Sequence, residues 1–204
     1  MSQNKGKHNF SIKKRNYRKE TYYRNKKIID NYKQLHPCNC GENDINCLEF
    51  HHRDPSNKIF DIYSKGKETS IKKLKAEIEK CDIVCKNCHT KIHNKNRRYN
   101  SFEPLIEKIN LELSKKISKL KRRRLHNKKQ KYMVKIYIRD YKNKYNCEIC
   151  NENNNECLIF HHRDKTDKEE KVPRLCCYGI RKVKEEINKC SIICHNCHSK
   201  IHNS

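Results

Sequence analysis

Residues 81–93 read CDIVCKNCHTKIH, and residues 190–202 read CSIICHNCHSKIH. Each stretch is a short apolar run ending in Cys, then a C-x-x-C knuckle, then a histidine pair that starts directly after the second thiol. The apolar run predicts a strand, and the i, i+4 spacing puts His89 and His93 on one face of a helix, as it does His198 and His202. The repetition continues upstream. Residues 47–54 (CLEFHHRD) recur as 157–164 (CLIFHHRD), and IIDNYK at 28–33 is similar to YIRDYK at 137–142. The chain therefore holds two copies of one module, at 28–93 and 137–202. A basic N-terminal arm, 1–27, precedes them, and a basic helical linker, 94–136, joins them.

Composition narrows what such modules can be. Lys and Arg number 49 against 24 Asp and Glu, for a formal net charge of +25, and apolar residues make up only 34 %. That is too little for one large core, so small modules braced by something other than apolar burial are expected. No apolar run is long enough to span a bilayer, and none follows the basic N-terminus as a secretory signal would require. The charge favours a polyanionic partner, because neutralising phosphates releases condensed counterions. Fourteen cysteines in a chain without an export signal, most of them in close pairs beside histidines, point to a reducing compartment and to metal rather than disulfides.

The thiols fall into two quartets. In the second copy, Cys147 and Cys150 pair with Cys194 and Cys197, and four thiolates close a tetrahedral structural zinc site. In the first copy Cys85 and Cys88 are in pattern, but the early pair, Cys38 and Cys40, is one residue shorter, and His36 is an alternative ligand. Cys47, Cys157, Cys81 and Cys190 recur beside apolar residues and read as small buried hydrophobes. Cys176 and Cys177 have no counterpart. The histidines form a separate set. One histidine of the doublet His51–His52 and the pair His89 and His93 can converge on a divalent cation, leaving the other as a base with a suitable ordinary pKa. His161, His162, His198 and His202 repeat the set. A Cys2His2 finger is excluded, since it needs about twelve residues between its pairs.

With these residues in view, the chain resembles the HNH (ββα-metal, His-Me finger) endonucleases: F-H-H-R-D, then K-C-x-I-[VI]-C-x-N-C-H-x-K-I-H, inside a cysteine quartet. The resemblance implies an α+β fold of two small zinc-stabilised ββα-metal modules joined by the basic linker. It implies metal-dependent hydrolysis of DNA phosphodiesters, with His52 and His162 as general bases. His51, His89, His93, His161, His198 and His202 would hold a catalytic Mg²⁺, Mn²⁺ or other divalent cation, and the eight paired thiols would hold two structural zinc ions. The middle Asn of the family name is not in register: Lys80 or Cys81, and Lys189 or Cys190, occupy that region, leaving base orientation to a backbone carbonyl. Arg53 and Arg163 are candidates for phosphate binding, or for ion pairs with Asp54 and Asp164. The expected partner is DNA, with no membrane and no organic cofactor, in a compartment such as a nucleus or the viral factory of an infected host. The alternative is a non-catalytic zinc-stabilised nucleic-acid-binding protein; a zinc-dependent protein adaptor leaves the charge unused.

Outside the modules, Pro104 is expected to open a helix whose stripe, Ile106, Ile109, Leu113, Ile117 and Leu120, packs on a module or another copy. The basic run from Arg122 to Arg124 contacts phosphates, serves as an import signal or is simply solvated. The first 36 residues carry eleven Lys and Arg with Tyr17, Tyr22 and Tyr23 interleaved, which suits an arm disordered until it meets nucleic acid.

Overall fold

The computed structural model describes residues 3–95, 102–164, 166–167 and 169–203, with side chains from residue 14 onward. The chain divides into two compact units, residues 1–89 and 90–204, the division falling within one helix. The architecture is α+β: helices together with two separate two-stranded antiparallel sheets.

In the first unit α1 (Gln3–Leu35) is followed by β1 (Leu48–His52), α2 (Ile71–Ile78), β2 (Cys81–Cys85) and α3 (Lys86–Lys95). The arm expected at 1–27 is helical backbone from residue 3, continuous with the amphipathic segment, and no break marks residue 27. Ile29 is what ties this basic helix down. It is buried with Ile62, Leu74, Ile78 and Cys81, and Phe50 and Phe60 pack around them. Asn25, fully buried, donates from Nδ2 to the carbonyls of Gly66 (2.9 Å) and Thr69 (2.7 Å). β1 pairs with β2 in the register Leu48↔Cys85 to His52↔Cys81. Side chains alternate along β1, so Leu48, Phe50 and His52 share one face and Glu49 and His51 the other. Leu74, Glu77 and Ile78 form the buried stripe of α2, whose first turn is capped by Ser70 accepting from the Lys73 N–H.

The second unit repeats the plan with β3 (Leu158–His162), α6 (Ile180–Ile187), β4 (Cys190–Cys194) and α7 (His195–Asn203), preceded by α4 (Phe102–Leu113) and α5 (Lys119–Lys142). β3 and β4 pair from Leu158↔Cys194 to His162↔Cys190. Val134 of α5 is buried with Val172, Leu175, Val183, Ile187 and Cys190, so the long helix plays the part α1 plays in the first unit. The linker stripe does not run as one helix. Pro104 lies in the first turn of α4 and Ile109 is buried, but the chain leaves helix after Leu113 and restarts at the Ser118 cap, which separates Ile117 and Leu120 from the rest.

In both units strand and helix meet with no loop between them. β2 ends at Cys85 and α3 begins at Lys86; β4 ends at Cys194 and α7 begins at His195. The corner is pinned by the Lys86 N–H on the Cys47 carbonyl (2.9 Å) and the His195 N–H on the Cys157 carbonyl (3.0 Å). Cys47 and Cys157 are fully buried, and Cys81 and Cys190 nearly so, as expected of small apolar side chains. Burial pushes the Cys81 thiol up to about 11, so it stays protonated.

Candidate metal centres

The four thiols of each quartet come together at the strand–helix corner. Cys38, Cys40, Cys85 and Cys88 offer sulfurs within 4.8 Å of one another, and so do Cys147, Cys150, Cys194 and Cys197. Sγ–Sγ separations of 3.5 Å (Cys38–Cys40), 3.7 Å (Cys40–Cys85) and 3.6 Å (Cys150–Cys194) are close to the edge of about 3.8 Å that a tetrahedron with 2.3 Å metal–sulfur bonds would have. The Cys88 N–H points at Cys85 Sγ and the Cys197 N–H at Cys194 Sγ, each at 3.4 Å, as donors facing thiolates would. Either quartet can hold a structural zinc ion by geometry and donor type.

The shortened C-x-C is accommodated by its turn. In the second unit the Asn151 N–H closes on the Cys147 carbonyl (3.0 Å), and the Cys147 N–H on the Glu152 carbonyl (2.8 Å). In the first unit the Gly41 N–H closes on the Cys38 carbonyl (2.8 Å), and the Cys38 N–H on the Glu42 carbonyl (2.9 Å). Both turns end with positive φ, 93° at Gly41 and 61° at Asn151, residue types that tolerate the left-handed region. His36 is not in the quartet; its Nδ1 lies 2.8 Å from the Tyr32 carbonyl.

Burial lifts the thiols of Cys40, Cys88, Cys150 and Cys197. Cys147 moves the other way: burial would raise it, but N–H groups of Cys150, Ile149 and Cys194 outweigh that and bring it to about 7.

The histidines form the second pair of sites. His51, His89 and His93 bring ring nitrogens within 4.8 Å of one another, as do His161, His198 and His202. In the second unit the ring centroids lie 5.3 Å (His161–His198), 5.3 Å (His161–His202) and 4.5 Å (His198–His202) apart. Three imidazoles from a strand and a facing helix fit a borderline divalent cation and leave further coordination positions open. In the first unit the His89 ring is also engaged by Glu49, with Nδ1 to Oε2 at 2.7 Å. That hydrogen bond, ahead of the opposing burial, holds the Glu49 carboxyl below its usual range.

His52 and His162 lie on the opposite, core-facing side of their strands. His52 Nε2 is 2.9 Å from Glu77 Oε1, and His162 Nε2 is 2.6 Å from Glu186 Oε1. Each carboxylate is buried and serves several groups. Glu77 Oε1 also accepts the N–H groups of Ile59 and Phe60, and Oε2 takes Lys80 Nζ at 2.9 Å. Glu186 accepts from Glu169 and Glu170 N–H and pairs with Lys189 at 3.1 Å. Burial would raise Glu77, but Lys80, the Ile59 N–H and His52 overcome it and hold the carboxyl at about 2.

A side-chain carboxylate therefore orients the histidine, in place of the expected backbone carbonyl. Lys80 and Lys189 reach the same carboxylates, Glu77 and Glu186 respectively. Thr21 Oγ1 is the one buried side-chain polar atom without a partner among the described residues.

Glu77 and Glu186 do not stand out in the sequence, although both copies hold them in the phrases EIEKC (77–81) and EINKC (186–190). The usable signal is an acidic residue on the apolar stripe of a short helix. Arg53, whose side chain is half-exposed, does not pair with Asp54. Its guanidinium donates to Asp82 Oδ1 (2.8 Å), the Cys81 carbonyl (3.0 Å) and the Glu79 carbonyl, closing the end of α2. Arg163 donates to the Asn188 carbonyl at 2.9 Å. Asp54 and Asp164 instead bind Ser56 and Thr166. Cys176 and Cys177 lie in a 3₁₀ turn, 4.0 Å apart at sulfur, and belong to neither quartet.

The chain matches none of the family models, curated proteins or solved structures with which it was compared. No helix among the described residues is long and apolar enough to cross a membrane.

Proposed function

We propose that each unit is an HNH-type nuclease module and that the chain hydrolyses phosphodiester bonds in DNA, with zinc in the thiol quartets as structural support. One observation carries this: in both units three imidazoles converge, and the next residue along the strand is a histidine whose Nε2 is held by a buried carboxylate. Such a histidine has a fixed ring and one basic site. Glu77 holds Nε2 of His52 and favours a proton there, which leaves Nδ1 as the acceptor of a proton from water. Glu186 does the same for His162. A divalent cation at His51, His89 and His93, or at His161, His198 and His202, would supply charge neutralisation at the phosphate and at the departing oxygen. The net charge of +25 attracts the polyanion. Arg53 and Arg163 serve the helix ends in this scheme.

Supercoiled plasmid incubated with the zinc-loaded protein and Mg²⁺ or Mn²⁺ should become nicked and then linear. The double variant His52→Ala, His162→Ala should lose cleavage by at least about 10²-fold, the usual contribution of a general base, while keeping its zinc and its DNA affinity. Plasmid that is bound but stays closed with fully zinc-loaded wild-type protein would point to the non-catalytic binder instead.

A further inference from the structure

The two imidazole sites differ by one residue at an equivalent place. Glu49 sits two residues before His51, on the same strand face, and its carboxylate takes Nδ1 of His89 at 2.7 Å. The equivalent residue two before His161 is Ile159, which has no polar atom to offer. A metal-binding imidazole whose second nitrogen donates to a carboxylate has its tautomer and ring direction fixed, and the carboxylate adds negative charge beside the cation. We infer that Glu49 makes the sites unequal, so that His51, His89 and His93 bind a divalent cation more tightly than His161, His198 and His202. This rests on the imidazole triads being cation sites, as proposed above.

Three features support the inference. Glu49 is half-exposed on a strand already fixed by the Glu49↔Val84 pairing, so little ordering is needed to place its carboxylate. With Nδ1 of His89 bound to Glu49, a metal at this site would be met by Nε2. The hydrogen bond also exists without any ion, so the ring is oriented before metal arrives. The expected size follows from carboxylate partners of metal-bound histidines in general, whose loss typically lowers metal affinity about 10–100-fold.

The test is a calorimetric titration of the full-length, zinc-loaded chain with Co²⁺. Zinc holds its thiolates against cobalt, and a cobalt–thiolate absorption band would reveal any exchange. Wild type should show two binding events whose constants differ about 10–100-fold. The variant His202→Ala should keep only the tighter event and His93→Ala only the weaker. Glu49→Ile should weaken the tighter event to the level of the other, with zinc content and circular dichroism unchanged, and Glu49→Gln should do so in part. Two equal events in wild type, or a Glu49→Ile protein with unaltered affinities, would overturn the inference while leaving the cation sites in place. The absence of any cobalt uptake would instead remove the cation sites and with them the proposed hydrolysis.

Discussion

Glu77 is a carboxylate surrounded by donors: two backbone N–H groups, one lysine and one histidine. Replacing it with Leu strands all four, and breaking a buried charged cluster in this way should cost about 3–5 kcal/mol. Urea denaturation of the zinc-loaded chain measures that loss, against a change within about 0.5 kcal/mol for Glu79→Ala on the exposed side of the same turn. The sign of the pH effect follows from its pKa, which lies at about 2 rather than the ordinary 4.5. A depressed carboxyl adds stability that is complete above pH 4.5 and is lost only as pH falls toward 2. Zinc held by the quartets would be lost at higher pH than this window, because protons compete for the thiolates. A chromophoric chelator should detect zinc before Glu77 protonates. The residue is illegible in the sequence because a helical stripe is read by hydrophobicity, and a buried acid counts there as an exception. His51, His89 and their equivalents are legible because strand alternation and the i, i+4 rule fix which way they point.

At the level of elements, the strand–helix corner depends on the quartets. Structural zinc contributes roughly 10–16 kcal/mol in small domains, comparable with or larger than the whole stability of a module this size. Cys88→Ser should release one zinc per chain and unfold the first unit's strands, seen as a collapse of amide dispersion in NMR spectra, with the second unit intact. Cys47→Ala, more deeply buried than Cys88 but outside the quartet, should keep both zinc ions at a cost of about 1 kcal/mol. Metal binding must also expel protons. Cys40 and Cys88 in one quartet, and Cys150 and Cys197 in the other, are held protonated above the ordinary thiol range. Calorimetry at pH 7 in buffers of different ionisation enthalpy should record at least two protons released per zinc bound. The quartets can be read from spacing because a knuckle is a local device. The linker helix cannot, since its apolar positions continue past Leu113 while the backbone stops there and the Ser118 cap begins a new helix.

On the scale of the whole molecule, the duplication is fully visible in the letters, and both copies fold alike down to the hydrogen bonds at the strand–helix corner. Charge placement needs the structure. Arg124, Lys128, Lys131 and Lys135 follow one another at spacings of four, three and four along α5 and are all exposed, a basic row of about 16 Å. Every phosphate that the protein no longer neutralises should reduce the slope of log affinity against log salt by about 0.9 for duplex DNA, so changing all four to Gln should remove roughly 3–4. Fluorescence anisotropy with the His52→Ala, His162→Ala protein separates this effect from cleavage.

The strand–helix corner has one more consequence. Cys88 and His89 are neighbours in the first turn of α3, as are Cys197 and His198 in α7. A metal held by the sulfurs would thus fix the helical turn from which the histidines project, and assembly would be hierarchical. Cells starved of zinc would accumulate chains unable to recruit the second cation however abundant it was, and restoring zinc alone would rescue both.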